Sequence, residues 1–137
     1  KIKNAVMHVD KEITHPFEEE LSFNYGTIFI DNKRQPSGND SRNVCIFAEG
    51  EVDRCPTGSG VSGRMAIHKA RKEIDFGETM TIESITDSVF KGSVISEEAY
   101  GTYTAVIPQV EGTAYITGMH TFMIDPNDPM KNGFILR

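Results

Sequence analysis

The most constraining feature of this sequence is a glycine-rich stretch at residues 53–60, which reads Asp-Arg-Cys-Pro-Thr-Gly-Ser-Gly. It runs directly into a helical pattern of apolar residues. Glycines and hydroxyl residues at a helix start leave backbone N–H groups unpaired, and the helix dipole strengthens their attraction for anions. No lysine follows Gly60, which excludes a P-loop, and a dinucleotide fingerprint would need a βαβ unit. The stretch therefore predicts a seat for a small carboxylate.

The residues from Gly60 onward predict one helix that ends near Glu73. Apolar residues recur near helical spacing, and basic residues gather in the last turn, where they complement the helix dipole. The apolar positions are Val61, Met65, Ala66 and Ala70, and the basic ones are Lys69, Arg71 and Lys72.

Most other apolar segments have the aromatic and β-branched composition of strands. We predict strands at residues 5–9, 21–30, 43–48, 79–85, 88–96, 102–110 and 114–124. Residues 31–42 are rich in turn-forming residues and predict a surface loop. The last four predicted strands would form an antiparallel meander. One helix among many strands favours an α+β fold whose sheet wraps around the helix, rather than a doubly wound α/β sheet.

The composition limits the kinds of partner that the chain can have. A length of 137 residues with 38% hydrophobic and 25% charged residues is typical of a soluble domain with its own core. The net charge of -6 and the pI near 5.2 argue against binding to nucleic acid or an anionic membrane. The chain starts at Lys1 with no methionine or signal pattern, so we expect a fragment of a longer protein.

The two cysteines are too few for a disulfide framework and are wrongly spaced for zinc, which favours a reducing, cytoplasmic environment. Cys45 lies in an apolar run and is predicted to be a buried structural thiol. Cys55 precedes Pro56, which favours an extended backbone. We interpret Cys55 as a wall residue of the site rather than a nucleophile.

No metal site is predicted. The histidines lack the spacing that would put two ligands on one helix face, and the segment at residues 125–129 lacks the alternating acids of a calcium loop. The four histidines are His8, His15, His68 and His120. Of these, His120 is the one in a glycine-flanked segment that could reach a cleft.

Three separated segments together resemble the proline racemase family. They are the glycine-rich stretch at residues 53–60, the upstream Leu-Ser-Phe-Asn-Tyr-Gly-Thr-Ile-Phe at residues 21–29, and the downstream Ala-Tyr-Ile-Thr-Gly at residues 114–118. The likeness continues from residue 121 to residue 134. The family also contains hydroxyproline epimerases and trans-3-hydroxy-L-proline dehydratases. Family members are similar in fold to diaminopimelate epimerase, with two pseudo-symmetric halves, each a sheet around a central helix.

The resemblance implies that this chain is the C-terminal part of a homodimeric enzyme, and that a missing N-terminal half carries a catalytic cysteine in a Cys-Gly-His motif. Residues 1–124 would form the C-terminal half-domain. Residues 125–137 would be a tail that packs on the missing half. The fragment alone is expected to be inactive.

The resemblance also assigns roles to residues of this chain. Asp53 matches the residue that holds the ring nitrogen of the substrate, Gly58 and Ser59 match backbone donors to its carboxylate, and Phe47 matches an aromatic wall. Thr57 stands where racemases and epimerases have their second catalytic cysteine. A structural role as a helix cap or turn residue is the alternative for Asp53, Thr57 and Ser59.

The threonine decides the predicted reaction. Inversion at an α-carbon needs a base on each face, and an aliphatic hydroxyl is a much poorer base than a thiol. We therefore predict cofactor-independent dehydration of trans-3-hydroxy-L-proline to a cyclic imine, with Thr57 as the catalytic residue of this half. One alternative is a proline racemase or 4-hydroxyproline 2-epimerase in which Cys55 or water replaces the thiol. Another is a non-catalytic half-domain that binds a carboxylate.

Overall fold

The computed structural model describes residues 1–10 and 13–135. This part of the chain contains a mixed sheet, two α-helices and an extended tail, so the predicted α+β class is confirmed. The elements in chain order are α1 Ile2–Val9, β1 Gly26–Asp31, β2 Ser41–Phe47, β3 Glu51–Val52, α2 Gly58–Ala70, β4 Met80–Ser84, β5 Val89–Tyr100 and β6 Tyr103–Glu111.

The sheet has the strand order β1-β2-β4-β5-β6, with β3 paired to β2 beside this path. Strands β2 and β4 run parallel, and the other pairs are antiparallel. The parallel pair arises because α2 lies between β2 and β4 in the sequence and carries the chain back to the same end of the sheet. The predicted antiparallel meander of the last four strands is confirmed for β4, β5 and β6, but residues 114–124 form no strand in the described part of the chain.

The core lies between α2 and the strands β4, β5 and β6. Val61 and Met65 of α2 are fully buried there. Gly92 of β5 lies under them, and a Cβ atom at this position would come within 2.8 Å of Val61 Cγ1 and 2.9 Å of Met65 Sδ. The missing side chain thus lets α2 lie close to the sheet. The other core residues are Ile74, Ile82 and Val94, with Met80, Phe90, Val106 and Val110 packed around them.

Three strand predictions are wrong in whole or in part. Residues 5–9 belong to helix α1, in which apolar Ile2, Val6 and Val9 recur at helical spacing. Residues 21–30 form a strand only from Gly26, because a short 3-10 turn at Glu19–Leu21 precedes them. Residues 114–124 have the composition of a strand but pair with no strand in the described part of the chain.

Neither helix found in residues 1–10 and 13–135 has the length and apolar character needed to cross a bilayer. In the same residues, no three histidine, cysteine, aspartate or glutamate side chains are grouped so that they could hold a metal ion.

Candidate active site

The loop at residues 53–57 connects β3 to α2 and carries three of the predicted site residues, Asp53, Cys55 and Thr57. Thr57 ends the loop with a φ of 70° and a ψ of 106°. Positive φ is rare for a β-branched residue, and such strain costs about 1–3 kcal/mol. The Thr57 carbonyl accepts the Val61 N–H at 2.8 Å, which closes the first turn of α2. The backbone is therefore strained where the chain enters the helix.

Asp53 and Thr57 are joined by a direct hydrogen bond. The Thr57 hydroxyl donates to Asp53 Oδ2, with 2.5 Å between the two oxygens. No side chain caps the first turn of α2 in this described region, so the interpretation of Thr57 as a capping hydroxyl is wrong. Among the described residues, no cation approaches the Asp53 carboxylate. Asp53 is thus paired with a hydroxyl and with no cationic side chain of the described residues.

The N-terminus of α2 lies beside this carboxylate. Ser59 and Gly60 of the first turn line the same cavity as Asp53 and Thr57. Because the first backbone N–H groups of a helix have no partner within the helix and no side chain takes them here, they are available to an anion. A Cβ atom at position 60 would lie 2.4 Å from Ile28 Cδ1, so a glycine lets the helix start close to β1.

The cavity has a volume of about 420 Å³. Its polar side is formed by the loop and the first turn of α2, and its apolar side by β1, β2 and the residues before β1. The lining residues are Tyr25, Gly26, Ile28, Cys45, Phe47, Asp53, Thr57, Ser59 and Gly60.

Phe47 and Tyr25 form an aromatic wall of this cavity. Their ring centroids are 5.8 Å apart, and the rings are tilted by 36°. The sheet register explains the contact, because Gly26 lies opposite Phe47 in the β1–β2 pair and Tyr25 directly precedes it. The sequence analysis did not assign Tyr25 to the site. Its position next to Gly26, within one of the three resembling segments, was the available signal.

Two of the predicted site residues do not line the cavity. Gly58 lies at the first position of α2, behind Ser59 and Gly60. Cys55 lines a neighbouring cavity together with Arg54 and Thr86. Its sulfur accepts the Thr57 N–H at 3.4 Å, which is a contact within the loop itself.

Cys45 does line the cavity, although it is only 6% exposed. Burial raises the pKa of the Cys45 thiol, and a hydrogen bond with Thr57 only partly opposes this shift. A raised pKa keeps the thiol protonated at neutral pH, so Cys45 is a poor base and a poor nucleophile. The predicted burial of Cys45 is confirmed.

His120 lies in the tail, where its ring stacks on Phe122 with centroids 6.0 Å apart. It does not line the cavity that contains Asp53 and Thr57.

Comparison with known proteins identifies the family. The family model described as proline racemase matches residues 1–135. The chain belongs to the proline racemase family. This confirms the resemblance drawn from the three sequence segments. Curated relatives include the trans-3-hydroxy-L-proline dehydratase of Colwellia psychrerythraea, which is 51% identical over 137 residues. The dehydratase of Bacillus thuringiensis subsp. konkukian is 48% identical over 138 residues.

Solved structures of this proline racemase family share the fold. A hydroxyproline epimerase from Agrobacterium vitis with bound trans-4-hydroxy-L-proline superposes with a TM-score of 0.77 at 28% identity. A probable proline racemase from Agrobacterium radiobacter with bound carbonate gives a TM-score of 0.78, also at 28% identity. Both matches cover 98% of this chain and 38% of the other. The two dehydratases are covered over 38% and 40% of their length. The chain therefore spans about two fifths of the length of these relatives.

Proposed function

We propose that the enzyme to which this chain belongs dehydrates trans-3-hydroxy-L-proline to pyrroline-2-carboxylate. The observation that carries the proposal is the pairing, in one cavity, of the Asp53 carboxylate with the open N-terminus of α2. A zwitterionic ring amino acid complements both, with its ammonium on the carboxylate and its carboxylate on the helix. The two relatives with 51% and 48% identity, both called dehydratases, favour this member of the family.

The roles of the side chains follow from this placement. Asp53 holds the ring nitrogen of the substrate, and Ser59 with its neighbour Gly58 contributes backbone donors near the substrate carboxylate. As the α-proton leaves, charge moves onto that carboxylate, and donors fixed in advance stabilise it. Phe47 contacts the ring as an apolar wall.

Thr57 is suited to suppress inversion. Its proton is committed to Asp53, and its hydroxyl cannot serve as a base at neutral pH. Thr57 itself is therefore no competent base on its face of the α-carbon, where an epimerase has a thiol. The groups that remove the α-proton and protonate the leaving hydroxyl must therefore lie on the face of the substrate ring opposite Thr57.

The stereochemistry of the substrate fits one active face. In trans-3-hydroxy-L-proline the 3-hydroxyl and the α-hydrogen both lie opposite the carboxylate, so they share one face of the ring. A cysteine thiolate outside this chain takes the α-proton, the C–H electron pair forms the Cα–Cβ double bond, and the C–O bond breaks. The thiol returns its proton to the departing oxygen, which leaves as water. The enamine product tautomerises to the cyclic imine.

The exposed tail supports a second half of the enzyme as its partner. From residue 112 onward the chain leaves the sheet, and its large apolar side chains face solvent, with Ile116 93% and Met119 95% exposed. Buried apolar surface stabilises a fold, so such a segment needs a covering partner. We infer that residues 112–124 join the proposed tail at residues 125–137 in packing on the N-terminal half.

The tail proposal is tested in the full-length enzyme with Ile116→Asp. A carboxylate buried against the other half would lower the melting temperature. Ile67→Asp is the matched control, because Ile67 is 50% exposed on α2. Equal effects of the two variants would contradict the packing of the tail.

The reaction is tested by proton NMR in deuterated water with full-length enzyme. We expect trans-3-hydroxy-L-proline to give the cyclic imine, with no loss of chirality in L-proline or trans-4-hydroxy-L-proline. Thr57→Cys should gain deuterium exchange with inversion, while the matched Thr57→Ser should keep the dehydration. Epimerisation by the wild-type enzyme would instead establish the alternative favoured by the solved relatives. Binding of L-proline without any turnover would establish a non-catalytic module.

A further inference from the structure

The loop at residues 53–57 is held from one side by three hydroxyl groups. Ser84, at the end of β4, donates to the Arg54 carbonyl at 2.7 Å, and Ser88 donates to the same oxygen at 3.0 Å. The Thr86 hydroxyl also donates to it. We call these three residues, Ser84, Thr86 and Ser88, the hydroxyl trio. Three donors on one carbonyl, from a turn about 30 residues away in sequence, fix the backbone between Asp53 and Cys55.

The hydroxyl trio is itself ordered. Ser84 Oγ accepts the Thr86 N–H at 3.1 Å. The Ser84 N–H donates to the Ser88 carbonyl at 2.8 Å, which closes the turn between β4 and β5. Only Ser84 is fully buried, at 1% exposure. The turn thus presents its hydroxyls as a preformed set.

Asn43, which pairs with Ser84 in the β2–β4 register, holds the same loop at a second carbonyl. Its Nδ2 donates to the Pro56 carbonyl at 3.1 Å, and its side chain is buried on β2. In the part of the chain described here, Asn43 Oδ1 has no hydrogen-bond partner, so the side chain makes this one contact. The carbonyl just before the strained Thr57 is therefore anchored to the sheet.

The two anchored carbonyls, those of Arg54 and Pro56, lie in the chain between the two residues on which the proposed function rests. Strained backbone persists only where its surroundings over-determine it, and Thr57 has its φ of 70° immediately after the anchored Pro56. We propose that the hydroxyl trio and Asn43 are positioning residues that hold Asp53 and Thr57 in their reactive arrangement. The β4–β5 turn, whose hydroxyls bond to the loop backbone between these two residues, thereby becomes part of the machinery of the site.

The test uses the full-length enzyme and the exposed member of the trio, so that folding is preserved. Thr86→Val removes the hydroxyl and keeps the shape, while Thr86→Ser keeps the hydroxyl. Combining Thr86→Val with Ser88→Ala should lower kcat about tenfold or more, because a displacement near 1 Å at a catalytic group has effects of that order. The KM should change less. Thr102→Val, in the exposed turn between β5 and β6, is the matched control.

Amide hydrogen exchange of residues 53–58 provides a readout that does not depend on the reaction. We expect faster exchange in the double variant than in the wild-type enzyme, Thr86→Ser or Thr102→Val, with similar melting temperatures. Unchanged exchange would overturn the proposal. Faster exchange with unchanged kcat would also overturn it, because the trio would then be purely structural.

Failure of the proposed function gives a different pattern. If the wild-type enzyme does not dehydrate the substrate, the same variants are compared by deuterium exchange at the α-carbon of L-proline. A wild-type enzyme without either activity removes the proposed function, and the exchange of residues 53–58 then decides alone whether the trio holds the loop.

Discussion

Asp53 and Glu83 are both carboxylates that accept hydroxyl hydrogen bonds. Among the described residues, only Glu83 also has an amide donor and an arginine as partners. Glu83 is 1% exposed, and its Oε2 accepts from the Ser37 hydroxyl and, at 2.6 Å, from Asn39 Nδ2. Its Oε1 accepts from Arg42 Nε at 2.7 Å. The hydrogen bonds from Ser37 and Asn39, followed by that from Arg42, lower the pKa of Glu83.

Asp53 has one hydroxyl, that of Thr57, and no cation among the residues that the structure describes. It faces a cavity beside an open helix terminus rather than an arginine. The difference indicates that Glu83 stabilises the fold and that Asp53 is free to bind a ligand. A structural carboxylate is balanced by its own chain, whereas the charge of Asp53 remains available to a substrate ammonium.

The largest expected effect comes from Asp53→Asn in the full-length enzyme. The variant keeps the size of the side chain but removes the charge that would pair with the ring nitrogen. Loss of one member of such a charged pair costs about 2–4 kcal/mol, which corresponds to about 30- to 1,000-fold in kcat/KM. Steady-state kinetics and a thermal melt of the same sample measure both consequences. We expect the kinetic loss with little change in melting temperature.

Glu83→Gln is the natural counterpart of that variant, since it makes the same chemical change at the completed carboxylate. A lower melting temperature with kcat/KM nearly unchanged is expected. If Asp53→Asn destabilised the fold while Glu83→Gln impaired turnover, the distinction between the two carboxylates would be reversed.

The second effect is the pH dependence of the stability that Glu83 provides. Because the pKa of Glu83 is lowered by folding, its contribution is fully present above its unfolded value of about 4.5. The contribution is lost as the pH falls through the folded pKa. Chemical unfolding should therefore show a gap between wild type and Glu83→Gln that is constant above about pH 5 and narrows below it. A gap that widens in acid would show that Glu83 is not stabilised as the ionised form.

The sequence predicted the parts of this comparison that depend on local pattern. Helix α2 was expected from residue 60 and begins at Gly58, because its apolar spacing and the glycines before it are local signals. The α+β class followed from the pattern of one helix among many strands, and the place of Asp53, Thr57, Ser59 and Phe47 in one cavity followed from the resemblance to the family.

What depends on distant contacts could not be predicted. The hydroxyl trio meets Arg54 across about 30 residues, and nothing in its own sequence distinguishes it from an ordinary turn. Burial of Arg64, which is 3% exposed on the buried face of α2, likewise follows from its contact with Ser41 on β2. Residues 114–124 have the composition of a strand but form none, because the described chain provides no strand for them to pair with.

The smallest expected effect concerns a third carboxylate, Glu111, which is paired with a lysine but is exposed to solvent. Its Oε1 lies 3.0 Å from Lys91 Nζ across the β5–β6 pair, and the two side chains are 68% and 52% exposed. Exposed ion pairs contribute little, so Glu111→Gln should change the free energy of unfolding by less than about 0.5 kcal/mol. Chemical denaturation at low salt and at about 0.5 M salt should show that small difference disappearing as the charges are screened. If Glu111→Gln lowered the free energy of unfolding as much as Glu83→Gln does, a nearby cation alone would be enough for a carboxylate to stabilise the fold. Glu83 would then differ from Asp53 only in having a cation partner, and its buried hydrogen-bond donors would not matter to the difference.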